Sequence, residues 1–290
     1  MTSYPALQYA LVRILLGLYL ATYFGLLIPH AATIFGRDGL FHALDATPFP
    51  NPLMADSPMW PPLFMAFLAV LGLGYAAGLQ RKAVALLLWY GWACLINRLP
   101  FITIPSEGYI GWLLLASLLI PFGEGLALDR RDPRWQLPTG IFVGAWVVQA
   151  LSYSVSGVGK LWSPSWIDGS ALSLVLEGAL VRPTGLADLL ASLPPRILQA
   201  GTWIFLGLEV LVAPLCLTSW GRKLAWSAMV VVHLVMLVLV DITSVSLGML
   251  VFHAFTFDAR WLRWRAASRE ATREPEPGGV LAREGGAGKT

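Results

Sequence analysis

Charge is what this sequence is short of. Asp, Glu, Lys and Arg make up 13% of its 290 residues, about half the roughly one-quarter share of a soluble globular chain. Too few charges remain to cover a water-facing surface. Cysteine is scarce as well: Cys94 and Cys216 stand alone inside apolar runs, with no CxxC pair, which excludes a disulfide framework or a thiol redox motif and leaves two small apolar packing residues. The nucleophile elbow GxSxG, the phosphate-binding P-loop, the zinc motif HExxH and the dinucleotide fingerprint are all missing, so no soluble-enzyme signature is present. His30, His42 and His253 are scattered without metal-ligand spacing, and no metal is expected. The pI near 9.0 comes largely from the tail after Phe257, so it points to topology and not to nucleic acid.

Apolar residues are what the chain has in excess, at 57% with a mean hydropathy of +0.66. They come in continuous runs, and a hydrocarbon core needs about 20 such residues per helix. In lipid the backbone must satisfy its own hydrogen bonds, which leaves helices or closed barrels. The runs do not alternate, so helices are expected. Spans fall at about 8–29, 62–80, 83–99, 107–123, 139–158, 200–218, 223–241 and 245–259. The first carries Arg13 and lacks a small-residue cleavage site, so it reads as a retained span. The expected fold is all-α, a polytopic membrane domain of eight spans over 1–260. Residues 261–290, with EPEPGG and GGAGK, have the composition of a disordered basic tail.

Positive charge sets the expected orientation. The side holding the N-terminus gathers Arg81, Lys82, Arg130, Arg131, Arg134, Arg222, Lys223 and the seven basic residues of the tail, fourteen in all. The other side has Arg37, Arg98, Lys160, Arg182 and Arg196, five. Both termini are therefore expected in the cytoplasm, as an even number of spans requires. Two long connections fall outside. Residues 30–61 hold Pro48, Pro50, Pro52, Pro58 and Pro61; residues 159–199 hold Lys160, Trp162, Trp166 and the semi-apolar stretch SALSLVLEGAL. That stretch is too short to span and predicts one interfacial or re-entrant helix after the fifth span.

Ionisable residues at membrane depth are costly and mark candidate sites. Glu209 lies eleven residues before Trp220 and His233 thirteen after it. At about 1.5 Å per residue both sit roughly 17–20 Å from the turn, so the two are expected to meet across the hairpin, either as a structural lock or as a proton relay or cofactor contact. A second group, Arg98, Glu107, Lys160 and Asp241, falls at the outer helix ends, where snorkelling accounts for Arg98 and Asp241. Lys160 follows Gly157 and Gly159 and precedes Trp162 and Trp166, residues suited to close backbone approach and to the membrane interface. Burial disfavours the charged form of an amine, so a lysine in such a pocket is a candidate base.

The stretch YSVSGVGKLWSPSWIDGSAL (153–172) resembles a segment of the vitamin K-dependent gamma-carboxylases and their HTTM-domain relatives, with its Gly, Lys-Leu and Trp-x-x-Gly. RILLGLYL (13–20), GLEVLVAPLCL (207–217) and HLVMLVLVDITSVSLGML (233–250) resemble further family helices, in the expected order. The resemblance spans roughly 8–258. It implies a membrane-embedded lyase that uses a reduced quinone such as vitamin K hydroquinone, with Lys160 as the base that deprotonates it, Glu107 as an acid–base partner, and Glu209, His233, Trp162 and Trp166 as cofactor contacts. Epoxidation of the quinone would generate a strong base that removes a gamma proton from a peptide glutamate, and the carbanion captures carbon dioxide. The implied substrate is a peptide or protein on the extracytoplasmic side. Two departures stand out. About thirty residues follow the last span, where the carboxylases carry a large extramembrane domain. FITIPSEGYIG has Ser106 or Glu107 where the family has a histidine. The alternative is a non-catalytic HTTM-type membrane protein acting as a binding or maturation partner. A transporter is the weaker reading, since no inverted repeat is visible.

Overall fold

Long apolar runs satisfy their backbones as helices, and punctuation between them sets the ends. In the computed structural model, which describes residues 4–36, 39, 49–54, 57–99, 106–129 and 131–262, these are α1 (Ala6–Leu27), α2 (Ala31–Phe35), α3 (Trp60–Ala77), α4 (Arg81–Arg98), α5 (Ser106–Leu119), α6 (Thr139–Lys160), α7 (Pro164–Ile167), α8 (Ala171–Leu176), α9 (Gly185–Ala191), α10 (Pro195–Cys216), α11 (Ser219–Leu239) and α12 (Thr243–Thr256). Among the described residues there is no strand, only an isolated bridge between Val181 and Val240. Prolines open α3, α7 and α10 at positions whose amides have no helical partner. The Thr218 hydroxyl caps α11 by accepting from the Gly221 amide at 3.0 Å. Gly78 ends α3 at φ 74°, a left-handed conformation that glycine adopts without a Cβ clash.

Each of the eight expected spans corresponds to a helix. Among the described residues, five helices are long and apolar enough to cross a membrane: α1 continued through to Phe35, α3, α6, α10 and α11. α4 has 18 residues but carries Arg81, Lys82 and Arg98. α5 and α12 have 14 residues each, about 21 Å at the helical rise, against a hydrocarbon core of about 30 Å. SALSLVLEGAL (170–180) holds one short helix, α8, and two more, α7 and α9, flank it. α8 covers six residues and stops at Leu176, and the chain turns through Gly178 before α9, which Thr184 caps. Leu176 and Val181 pack with Ala187 on Leu239 and Val240 instead of continuing the helix.

The bundle exposes many large apolar side chains and buries several charged ones within its apolar core. Leu7, Leu11, Leu15 and Leu18 of α1 are exposed, while Arg13 on the same helix is wholly buried. That inversion suits a helix whose solvent is lipid. α1 and α3 touch at backbone distance: a Cβ on Gly17 would lie 2.5 Å from the Ala76 nitrogen, and one on Gly72 2.7 Å from that of Ala21. Small residues at the crossing allow such an approach.

Three charges fasten this half of the bundle. Glu124, just after α5, takes the Arg13 Nε at 3.3 Å and the Arg81 Nε at 2.9 Å on one carboxylate oxygen. The guanidinium forks spend their other donors on helix ends. Arg13 reaches the Tyr75, Ala76 and Leu126 carbonyls; Arg81 reaches those of Ser117, Ile120 and Pro121. Two cations face one anion, and the remaining positive charge meets the negative dipole ends of α3 and α5. Arg98 is buried too. Its guanidinium donates to the Phe35 and Gly36 carbonyls at 3.0 and 2.9 Å, so it caps α2 and does not snorkel as expected.

The chain divides after Phe257 into the bundle and a second unit, Asp258–Thr290. In the second unit, Arg260 forks onto the Asp258 carboxylate. The expected disordered tail, from residue 263 on, lies outside the described residues, as do His42, Pro48 and the FITIP part of FITIPSEGYIG.

Candidate functional site

α6 and α10 are held together by a serine and a glycine one turn apart. A Cβ on Gly157 would stand 2.6 Å from the Val210 nitrogen, so the helices touch backbone to backbone here. One turn earlier, Ser154 donates to the Val210 carbonyl at 3.0 Å and accepts from the Ala213 amide at 2.9 Å. Partner numbers fall as α6 advances, so the two helices run antiparallel. The first turns of α10 therefore continue past the end of α6, and the chain after Lys160 folds onto that extension. Trp166 of α7 packs on Phe205, with ring centroids 5.8 Å apart, and Gln199 donates to the Asp168 carbonyl at 2.7 Å. Asp168 closes the turn into α8: its carboxylate accepts from the Ser170 amide at 2.8 Å, and the Ser170 hydroxyl together with that amide holds the group below the ordinary carboxylate range.

This close approach places the Lys160 amine on Glu209. Nζ and Oε2 are 2.5 Å apart, with the side chains 23% and 6% exposed. Nζ also donates to Ser156 Oγ at 2.9 Å, one turn back on α6. The Trp166 and Phe205 rings lie 5.1 and 5.7 Å from the nitrogen, close enough for cation–π attraction. Lys160 thus has a buried carboxylate on one side and aromatic faces beside it, with a quarter of its side chain still accessible.

Glu209 and His233 do not pair as expected across the α10–α11 hairpin. Both turn to α6. The Tyr153 hydroxyl lies 2.7 Å from His233 Nε2, and Glu209 meets Lys160. The depth estimate was compatible with either arrangement, but it carried no information on which faces of α10 and α11 look inward. His253, read from the sequence as an isolated packing residue, joins this interior. Its ring centroid is 5.7 Å from that of His233 and 5.9 Å from that of Tyr153. Gln149, one turn before Tyr153, is also buried. Positions 149, 153, 156 and 160 repeat at helical spacing and form a polar stripe along α6. That spacing within an apolar span was the available signal for Gln149 and Tyr153.

The other expected site residues are spread out. Glu107 is buried in the first turn of α5. Its carbonyl accepts from the Trp92 indole at 3.1 Å, and its carboxylate is near enough to Tyr19 and Tyr23 to interact electrostatically. Trp162 is 78% exposed, and the rings beside the Lys160 amine are those of Trp166 and Phe205. Asp241 pairs with Arg182 at 2.7 Å on the surface.

No protein-family model, no curated protein and no solved structure matches this chain.

Proposed function

We propose that this is a multi-pass membrane protein in which Lys160 and Glu209 form a proton-transfer pair, serving a quinone-dependent enzyme of the gamma-carboxylase/HTTM type. α1, α3, α4, α5, α6, α10, α11 and α12 are the eight spans, with both termini in the cytoplasm. The 14-residue helices cross where the bilayer thins around the bundle. The observation that carries the reading is the 2.5 Å contact between an amine and a buried carboxylate beside the Trp166 and Phe205 faces. An aromatic hydroquinone stacks on such faces. With the shared proton on Glu209, the neutral amine accepts the hydroquinone O–H proton, giving ammonium and phenolate. The Trp166 and Phe205 faces shield one side of the amine from water. Epoxidation and carboxylation beyond this step are what the resemblance at 153–172 implies, with oxygen and carbon dioxide as co-reactants.

Mild extraction followed by mass spectrometry of co-purified lipid is expected to find a quinone, lost or reduced in Lys160→Met. The purified protein is expected to consume a reduced naphthoquinone under oxygen, and the same variant to lower that rate by a factor of about 100, the scale of a removed general base. An undiminished rate in a folded Lys160→Met protein overturns the reading.

A second reading is favoured by one observation: the amine is already engaged by Glu209 and Ser156. In that case the pair ties α6 to α10 in a non-catalytic binding or maturation partner. Lys160→Met then weakens stability with no catalytic rate to lose, while changes in α7–α9 abolish partner binding.

A further inference from the structure

At the end of the bundle where α1 begins and α12 ends, a cleft of about 340 Å³ opens between α1, α11 and α12. Lys160 lies at the opposite end of α6, whose N-terminal Phe142 packs on Tyr4 beside the start of α1. The volume is within the range of small-molecule sites, roughly 300–1,000 Å³. Its walls are apolar, including Leu11, Leu15 and Val230, with Gln8, Trp226 and His253 as the polar groups and no charged residue among the lining. Leu11 and Leu15 are exposed on the outer face of α1, so the cleft is open to whatever surrounds the bundle.

Both short polar side chains in it are left with acceptors. The Gln8 amide nitrogen donates to the Ala254 and Phe257 carbonyls at 3.1 and 2.8 Å. That fixes the amide orientation and leaves Oε1 as the other end. His253 Nδ1 is 2.8 Å from the Met249 carbonyl, which can only accept. The proton is therefore on Nδ1, and Nε2 carries a lone pair. Gln8 Oε1 and His253 Nε2 are both buried and have no hydrogen-bond partner among the described residues, while His253 is only 1% exposed. The Trp226 indole supplies no donor, since it is spent on the His253 carbonyl at 2.9 Å. Buried polar atoms without partners point to a missing group of complementary chemistry.

We infer that this cleft binds a neutral membrane lipid through a hydroxyl group, of the long-chain alcohol class, whose O–H satisfies Gln8 Oε1 or His253 Nε2 while its chain lies along Leu11, Leu15 and Val230. An anionic headgroup finds no cation there, and an ether or ester oxygen finds no donor. The inference is independent of Lys160 and of any quinone chemistry.

The test uses the full chain in nanodiscs of dioleoylphosphatidylcholine, a lipid without hydroxyl donors. A photoreactive octadecenyl alcohol with a mid-chain diazirine is crosslinked and mapped by peptide mass spectrometry, with oleyl alcohol, oleyl methyl ether and oleate as competitors of one chain length. Labelling is expected in residues 8–15 and 226–257, displaced by oleyl alcohol at about tenfold lower concentration than by the ether or by oleate. Gln8→Leu and His253→Phe are each expected to weaken competition by oleyl alcohol about fivefold, the scale of one hydrogen bond. Each variant also removes a made bond, from the Gln8 amide to the Ala254 and Phe257 carbonyls or from His253 Nδ1 to the Met249 carbonyl, so each is expected to lower the thermal midpoint, and competition is read on the folded protein. Val230→Trp fills the cleft and is expected to abolish labelling; if it fails to fold, the two polar variants decide alone. Equal competition by the ether shows a merely greasy groove and overturns the inference. So do preferential displacement by oleate, labelling elsewhere on the chain, or unchanged competition in both Gln8→Leu and His253→Phe.

Discussion

The bundle contains two buried glutamates with basic partners, and they are built for different ends. Glu124 faces two arginines that are themselves wholly buried, and their guanidiniums also donate to the Tyr75, Leu126, Ser117 and Ile120 carbonyls and to the Tyr9 hydroxyl. Planar forks in fixed geometry leave little to rearrange. Glu209 faces one lysine, a flexible point donor with 23% of its side chain accessible and aromatic rings at its flank. The first cluster is a fastening whose charges are fully committed. The second leaves its cation partly accessible. Burial of an ion pair does not by itself mark a chemical site; what separates the two is whether the cation has capacity left over.

Removing one member of each cluster tests that contrast, and the largest effect is expected at Glu124. Glu124→Ala leaves two guanidiniums buried with no anion. Breaking a buried ionic network costs on the order of 3–5 kcal/mol, so the unfolding midpoint in detergent is expected to collapse or the protein to fail to accumulate. A midpoint close to that of the parent would show that the helix-end carbonyls suffice and that the three charges are not a lock. Gly157→Ala comes next. Its Cβ falls 2.6 Å from the Val210 nitrogen, and overpacking of this kind costs roughly 1–3 kcal/mol. Prying α6 from α10 also lengthens the Lys160–Glu209 contact, so any quinone-linked rate is expected to fall with stability here, whereas Glu124→Ala acts on stability alone.

Lys160→Met is expected to cost less, about 1–2 kcal/mol, because the amine is partly accessible and solvent compensates the carboxylate it leaves. Glu209→Gln on the Lys160→Met background should restore part of the loss, with a coupling of roughly 0.5–3 kcal/mol in a double-mutant cycle read by thermal unfolding. A zero coupling would mean that the 2.5 Å contact contributes nothing to holding the helices and would leave the accessible-proton reading as its sole explanation.

The helical class and the position of each long helix were legible because apolar runs of 14–22 residues leave few alternatives in lipid. In the Lys160 segment Gly157 marks the close approach of α6 to α10, whereas Gly159 faces open space and Trp162 is exposed. Pairing was not legible. A sequence gives the depth of Glu209 and His233 along their helices but not the rotation of each helix about its axis, and a half-turn of rotation redirects Glu209 to Lys160 and His233 to Tyr153. The Arg13–Glu124–Arg81 cluster was hidden for another reason. Arg81 and Glu124 sit beside helix ends, where charges ordinarily meet water, so Arg81 was counted as a loop charge although it is wholly buried. Likewise, SALSLVLEGAL has the composition of one helix, but the Leu239–Val240 surface that draws Val181 away after Gly178 comes from a segment some sixty residues later.

The smallest effect is expected at the surface ion pair, which serves as the reference for both buried clusters. The Arg182 guanidinium meets Asp241 at 2.7 Å, but the side chains are 37% and 71% exposed. The same guanidinium also donates to Thr243 Oγ1 and to the Val240 carbonyl, so Arg182 stays anchored at the α11–α12 turn when the carboxylate is neutralised. Asp241→Asn is therefore expected to change stability by no more than about 0.5 kcal/mol, as exposed pairs do. What remains of that change should vanish at high salt, where a screening length of a few ångströms removes it. The Lys160–Glu209 coupling, with its carboxylate buried, should keep most of its size in the same salt series. If both respond to salt alike, the Lys160 amine is as hydrated as a surface charge, and the distinction between a reserved proton and an ordinary ion pair is lost.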